Sequence, residues 1–197
     1  MTTSQISLTS ASEVLKFWLD ELGPEGWYSG TPEIDARVTA AFMDLWERAR
    51  DGRLKACLSS PDVALAYLIV TDQAPRNMFR GDARAFELDH LARRAAKQAI
   101  DYGFDMRIAE PQRQFFYLPF MHSEELFDQD RSVRLIKARM PETGDNNLLH
   151  ARAHRDVIRR FNRFPYRNNA LGRQTTAAET DWLERGGYQL SVEAVSA

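Results

Sequence analysis

Apolar residues in this 197-residue chain recur at intervals of three and four, and almost every such run has a helix-starting residue before it and a glycine or proline after it. That spacing lines one face of an α-helix. Sustained two-residue alternation, the mark of a half-buried strand, is found nowhere, so the chain is restricted to packing helix on helix. Ser10 with Glu13 forms a capping box; Val14, Leu15, Trp18, Leu19 and Leu22 then make an apolar stripe that Gly23-Pro24 ends. Thr31 and Pro32 open the next helix, with Ile34, Val38, Ala41, Phe42, Leu45 and Ala49 as its stripe and Gly52 as its stop. Pro61 begins a third, predicted to end near Ala74 because Pro75 follows. A fourth runs from Ala83 to Tyr102 and closes on Gly103.

Pro111 starts a short helix that stops before Pro119, and another spans 123–139 with Ser123 as its cap. "NNLLHARAHRDVIRRF" (146–161) is the next, and Thr176 with Glu179 caps a last short one before Gly186-Gly187. No linker or shift in composition divides the chain. Residues 1–197 therefore read as a single all-helical domain with an ordered core over about 11–185, the first nine and last eight residues being mobile ends. Short connections between antiparallel helices imply an all-α fold of stacked antiparallel helical hairpins.

A net charge of −2 excludes a polyanion-binding protein by bulk electrostatics. Lysine and arginine total 26, and 22 of these are arginine, a side chain suited to partly buried ion pairs and to anion sites; GC-rich codon usage accounts for the bias equally well. Cys57 is the single cysteine, which rules out an internal disulfide, suits a reducing compartment and reads as a core residue. "MTTSQISLTS" has neither the basic start nor the apolar run of a secretory signal. "VALAYLIV" (63–70) is far shorter than the roughly 20 residues a membrane helix needs. The expected location is the cytoplasm, with no membrane partner.

Candidate chemistry gathers at four places. Asp72 follows Leu65, Leu68 and Ile69 on one helix face, near a C-terminal end that repels negative charge. It therefore needs a cationic partner, either as an internal tie to Arg76 or Arg80 or as an acid beside a ligand. His150 and His154, four apart, are spaced to share a zinc ion, but Ala151 stands where a zinc-protease helix carries glutamate; no metal or other cofactor is expected. His154 is the better candidate for acid–base work. In "LPFMHSEELF" (118–127), Ser123, Glu124 and Glu125 read as a cap and an acidic first turn, or else His122 and Glu124 face the basic segment from a helix mouth. That segment is "RFNRFPYRNNALGR" (160–173), and residues 150–173 hold seven arginines against one acid, Asp156. Its rings and guanidinium groups suit a carboxylate or phosphate, or serve as glue between helices. Nucleic acid is disfavoured, because no phosphate loop or RNA-binding signature accompanies it. "QAPRNMFRG" (73–81) and "RFPYRNNALGR" (163–173) echo each other as proline, Arg-Asn, then glycine and arginine, as though two helix ends present the same groups.

"DQAPRNMFRGDARAF" (72–86), "RQFFYLPFMHSEELFDQ" (113–129) and "HRDVIRRFNRFPYRNNALGR" (154–173), with "VLKFWLDELGPEGWY" near the start, resemble the bacterial family called domain of unknown function 924 over roughly residues 11–185. The resemblance implies a helical fold of the tetratricopeptide-repeat-like superfamily. It also carries over Asp72, Gln73, Arg76, Asn77, Arg80 and Gly81 from the first motif, then His122, Ser123 and Glu124, then His154, Arg163, Phe164, Pro165, Arg167 and Asn168. Three positions depart from the family pattern: Ala74 replaces a bulky apolar residue, Asn162 a glycine and Tyr166 a histidine. If that histidine carries chemistry in relatives, this chain binds without catalysing.

Two functions remain. One is a binding module whose Arg76, Asn77, Arg163, Arg167 and Asn168 clamp an anionic group of a peptide or small molecule. The other is an enzyme, an acid–base hydrolase or transferase on a small anionic substrate, with Asp72, His154 or Glu124 moving a proton.

Overall fold

Helix starts follow the capping chemistry written in the sequence. The computed structural model describes residues 10–54 and 59–196; Cys57 and the first nine residues lie outside them. Ser10 accepts from the Glu13 amide while Glu13 reaches back to the Ser10 amide, opening α1 (Ala11–Leu15). Thr31 caps α3 (Pro32–Arg50) and Ser60 caps α4 (Pro61–Leu68), each with proline in the first turn. There the missing N–H costs no hydrogen bond. The described residues form two compact units, the first ending at Ile108 and the second starting at Ala109. Both are all-helical, with no strand among the described residues and no helix long and apolar enough to cross a membrane.

In the first unit α1 runs into a π-helical stretch, Lys16–Leu22, and Gly23 breaks it at φ 66°, a left-handed angle glycine adopts freely. The chain does not go to loop there as expected. It re-enters a short helix, α2 (Gly23–Trp27), whose Trp27 indole donates to the Trp18 carbonyl at 2.7 Å. Helix α3 buries Val38, Ala41, Phe42, Leu45 and Ala49 as its spacing predicts, and Trp46 with them. Helix α4 is buried on nearly all sides, which is why its sequence is continuously apolar.

Pro75 does not end this helix, contrary to the expected stop near Ala74. A π-helical turn, Ile69–Gln73, widens the ladder so that the Ala74 N–H reaches back to the Ile69 carbonyl, and α5 (Ala74–Met78) begins at once. Pro75 thereby falls in a first turn, where no donor is needed. A 3-10 turn over Ala83–Phe86 and α6 (Asp89–Asp101) complete the unit, and Gly103 closes the last helix at φ 69°.

The second unit opens with a 3-10 turn, Gln112–Phe116, and α7 (Leu118–Met121), which takes Pro119 into its first turn rather than stopping before it. Helix α8 (Leu126–Arg139) begins three residues later than the cap expected at Ser123. The Ser123 hydroxyl instead donates to Asp128 at 2.7 Å and accepts from the Glu125 amide, tightening the turn before the helix. Helix α9 (Asp145–Phe161) packs on α8 and on α11 (Tyr188–Ser196), and α10 (Ala177–Glu184) starts at the Thr176–Glu179 capping box. The expected mobile end from residue 190 is a correction: α11 is a packed helix, and its buried Ser191 donates to Asp156 at 2.8 Å. Val157, Ile158, Phe164 and Trp182 form one core of this unit.

Candidate functional site

The candidate residues divide between the units, Asp72 to Arg80 in the first and His122 to Asn168 in the second. Asp72 sits in the π-helical turn and is buried, as its position on the apolar face requires. The Gln73 side-chain amide donates to it, and Arg76 lies at 3.5 Å. Arg76 grips Asp89 and the Ala85 carbonyl more closely, each at 2.7 Å, and lies over the Phe86 ring. Arg80 forks onto Asp35 with two 2.9 Å bonds, and Asn77 donates to the same carboxylate at 2.8 Å and to the Ser29 carbonyl. The Arg80 bond is the main cause that holds the Asp35 carboxyl below its usual range, against the opposing effect of burial.

The second unit builds the same device. Arg163 forks onto Glu179 at 2.6 and 2.7 Å, and the buried Asn168 amide approaches that carboxylate at 3.4 Å. Each gripped acid stands in the first turn of a helix capped by threonine, Asp35 after Thr31 and Glu179 after Thr176. The lock recurs only partly along the sequence echo: Asn77 and Asn168 occupy matching positions, whereas Arg80 follows its proline and Arg163 precedes it, and each pair closes on an acid in a helix's first turn. Arg163, assisted by the Thr176 amide and hydroxyl, draws the Glu179 carboxyl down to about 2 despite its burial.

Glu124 also turns to the basic segment. Arg173 forks onto it with two 2.9 Å bonds and the Phe164 amide donates at 2.9 Å. Burial pushes this carboxyl up, but the Arg173 and Phe164 bonds prevail and its pKa is lowered. Phe164 is fully buried, with Arg167 over its face at 4.4 Å, Tyr166 stacked at 5.3 Å and the His154 ring edge-on at 5.4 Å. His122 stands 6.3 Å from His154, ring centre to ring centre.

His154 is held at one nitrogen. Its Nδ1 lies 2.9 Å from the His150 carbonyl and 2.9 Å from the Tyr188 hydroxyl, and that hydroxyl lies 2.8 Å from His150 Nδ1. A carbonyl only accepts, so Nδ1 of His154 carries the proton. The Tyr188 oxygen shares it, and the Tyr188 hydroxyl in turn meets His150 Nδ1 at 2.8 Å and the His150 carbonyl at 3.4 Å. His154 Nε2 keeps its lone pair and has no hydrogen-bond partner among the described residues. Burial first, then the nearby charges of His122 and Arg167, pulls the His154 pKa down to about 3, so the ring is neutral at neutral pH. His154, Tyr166 and Tyr188 line an open depression of about 330 Å³.

His150 and His154 share the Tyr188 hydroxyl, and no group of three or more ligating side chains suited to a metal occurs among the described residues. Sequence reasoning missed Tyr188. Nothing local marks it, since it follows a glycine pair and meets the histidines from 34 and 38 residues away. It also missed Asp35 and Asp89 as partners: in the sequence Asp35 reads as a helix-start acid and Asp89 falls inside the helix expected from Ala83 to Tyr102.

A family model described as bacterial protein of unknown function (DUF924) matches residues 14–187. Among solved structures, a protein of unknown function, ATU0120, from Agrobacterium tumefaciens is 38% identical, with a TM-score of 0.83 over 89% of this chain and 97% of that one. A search of curated proteins gave no match.

Proposed function

We propose that this chain, which belongs to the bacterial DUF924 family, is a binding protein that takes an anionic group of a small molecule or peptide in the depression beside His154, Tyr166 and Tyr188. The observation that carries this reading is the placing of His154: its Nδ1 is tied to the His150 carbonyl and the Tyr188 hydroxyl, and it lines the depression together with Tyr166 and Tyr188. A cavity of that size with few polar groups suits a small ligand. The Arg167 guanidinium over the Phe164 ring lends the depression a positive field, the same field that helps keep His154 unprotonated and favours an anion.

Binding fits the chemistry better than turnover. A general base is most effective with a pKa near the working pH, and His154 is far below it. Tyr188 is raised by burial, and Glu124 spends its oxygens on Arg173 and Phe164. The broader arginine clamp narrows accordingly. Arg80 and Arg163 spend their forks on Asp35 and Glu179, and Asn168 leans on Glu179. On this reading they are the frame, and Arg167 with the three rings is the site. The packing of the successive helices α8 and α9 against each other is in keeping with a tetratricopeptide-like build.

The test is a thermal-shift and calorimetry series with propionate, lactate, phosphate and methyl phosphate on the parent protein and on Tyr166→Ala. Tyr166 is 41% exposed, so its truncation spares the fold. A probe at 100 times its dissociation constant stabilises by about 2.7 kcal/mol, and Tyr166→Ala should abolish that gain. A gain that survives the substitution, or none with any anion, overturns the reading.

A further inference from the structure

The hydrogen-bond relay behind His154 fixes more than its charge. Three acceptor or donor choices meet at Nδ1 of His154, the Tyr188 hydroxyl and Nδ1 of His150, and one of them is not free to vary. The His150 carbonyl, 2.9 Å from His154 Nδ1, can only accept. With the proton on Nδ1, a neutral ring must present a bare lone pair at Nε2. Reversing the relay would set two lone pairs against each other at 2.9 Å. The ring's neutrality, from burial and from the charges of His122 and Arg167, removes the remaining alternative of a doubly protonated imidazole that donates at Nε2. The depression therefore offers an acceptor at its wall, while the field around it favours negative charge.

Resting on the binding reading above, we infer that the anion taken by this depression carries its own hydrogen-bond donor, an O–H or N–H beside the charge that meets the Nε2 lone pair of His154. Hydroxy acids and singly protonated phosphate monoesters share that chemistry. A plain carboxylate or sulfate ester does not, and would set an acceptor against an acceptor. An acceptor built to meet a donor discriminates against analogues that lack one, because the polar group is then left unpaired. His154 is thus the specificity-determining residue, and Tyr188 a positioning residue that holds its ring.

The experiment pairs each donor-bearing probe with a shape-matched probe that lacks the donor. Calorimetry compares lactate with propionate at pH 7, and methyl phosphate with methyl sulfate at pH 5.5, where the phosphate ester keeps one proton. At least one pair should show a tenfold or greater preference for the donor-bearing member; lactate alone identifies a hydroxy acid, methyl phosphate alone a phosphate ester. His154→Phe, which keeps a ring but has no lone pair, should erase that preference. Nitrogen-15 NMR of the unsubstituted protein should find the His154 proton on Nδ1, with the Nε2 resonance moving on addition of the preferred probe. Equal binding within both pairs, abolished by Tyr166→Ala, would leave the anion site standing and overturn this inference. A proton found on Nε2 would overturn it without any ligand. Failure of all four probes to bind would remove the binding reading and this inference together.

Discussion

Replacing Glu179 by glutamine tests how far one buried carboxylate stabilises the second unit. Glu179 is only 2% exposed, and Arg163 forks onto it at 2.6 and 2.7 Å while the Thr176 amide donates at 2.7 Å. Its carboxyl sits at about 2 in the fold against an ordinary 4.5. At about 1.4 kcal/mol per pH unit, that difference is worth about 3 kcal/mol. Arg163 is partly open to water, so screening trims the figure to about 2 kcal/mol. The sign follows from the direction. A lowered carboxyl stabilises fully above 4.5, where both states are ionised, and the benefit fades as pH falls toward 2, because the unfolded state takes its proton first. Urea unfolding followed by circular dichroism should show Glu179→Gln less stable by about 2 kcal/mol at pH 7. The gap to the parent should shrink to less than half by about pH 3. An equal stability at pH 7, or a gap that does not change between pH 7 and pH 3, would refute the reasoning.

Asn162 ends α9 in the left-handed region at φ 54°; Asn162→Ala should cost about 1 kcal/mol and Asn162→Gly essentially nothing in the same unfolding assay. Phe164→Ala empties a fully buried ring site under His154, Tyr166 and Arg167, and a loss of about 3–5 kcal/mol is expected from its unfolding curve. Arg80 is half exposed, so a double-mutant cycle with Asp35 should give a coupling under about 1 kcal/mol even though the geometry is bidentate. His154 should stay unprotonated in an NMR titration down to about pH 4. Because its folded pKa lies below the unfolded one, it should erode stability as pH falls from about 6.5 toward 3, and His154→Phe should flatten that slope.

Local chemistry was legible and tertiary chemistry was not. Ser10, Thr31 and Thr176 cap their helices because a hydroxyl, an amide and, at two of them, a glutamate three residues on are all the interaction requires. Asp72 was readable as a buried acid from the apolar residues that share its face. Pro75 was misread because the rule that helices stop before proline assumes a regular ladder, and the π-helical turn at Ile69–Gln73 supplies a different one. Ser123 was misread because its hydroxyl donates to the Asp128 carboxylate, a contact that competes with capping. The arginine-rich segment was visible as a concentration of charge, and Glu124 could be read as facing it, but the acid that neutralises Arg163 is Glu179, which the sequence marks only as a helix-start residue. The glycine expected by family resemblance at Asn162 has a plain cause in the left-handed backbone there, which asparagine tolerates better than other side chains.

The two locks differ in how much chain each must wait for. Arg163 and Glu179 are 16 residues apart, whereas Arg80 and Asp35 are 45 apart, and the arginine precedes its acid in one case and follows it in the other. Closing the longer loop costs about 0.9 kcal/mol more in chain entropy by the logarithmic scaling. The shorter lock needs only a helix end and the next helix start, so it can close during an early, local phase of folding. The longer one must wait until α3, α4 and α5 have assembled. Substitutions at Arg163 should therefore slow refolding as well as lower stability, while those at Arg80 should act mainly by speeding unfolding. One recurring side-chain arrangement would then serve as a nucleus in one half of the chain and as a late fastening in the other.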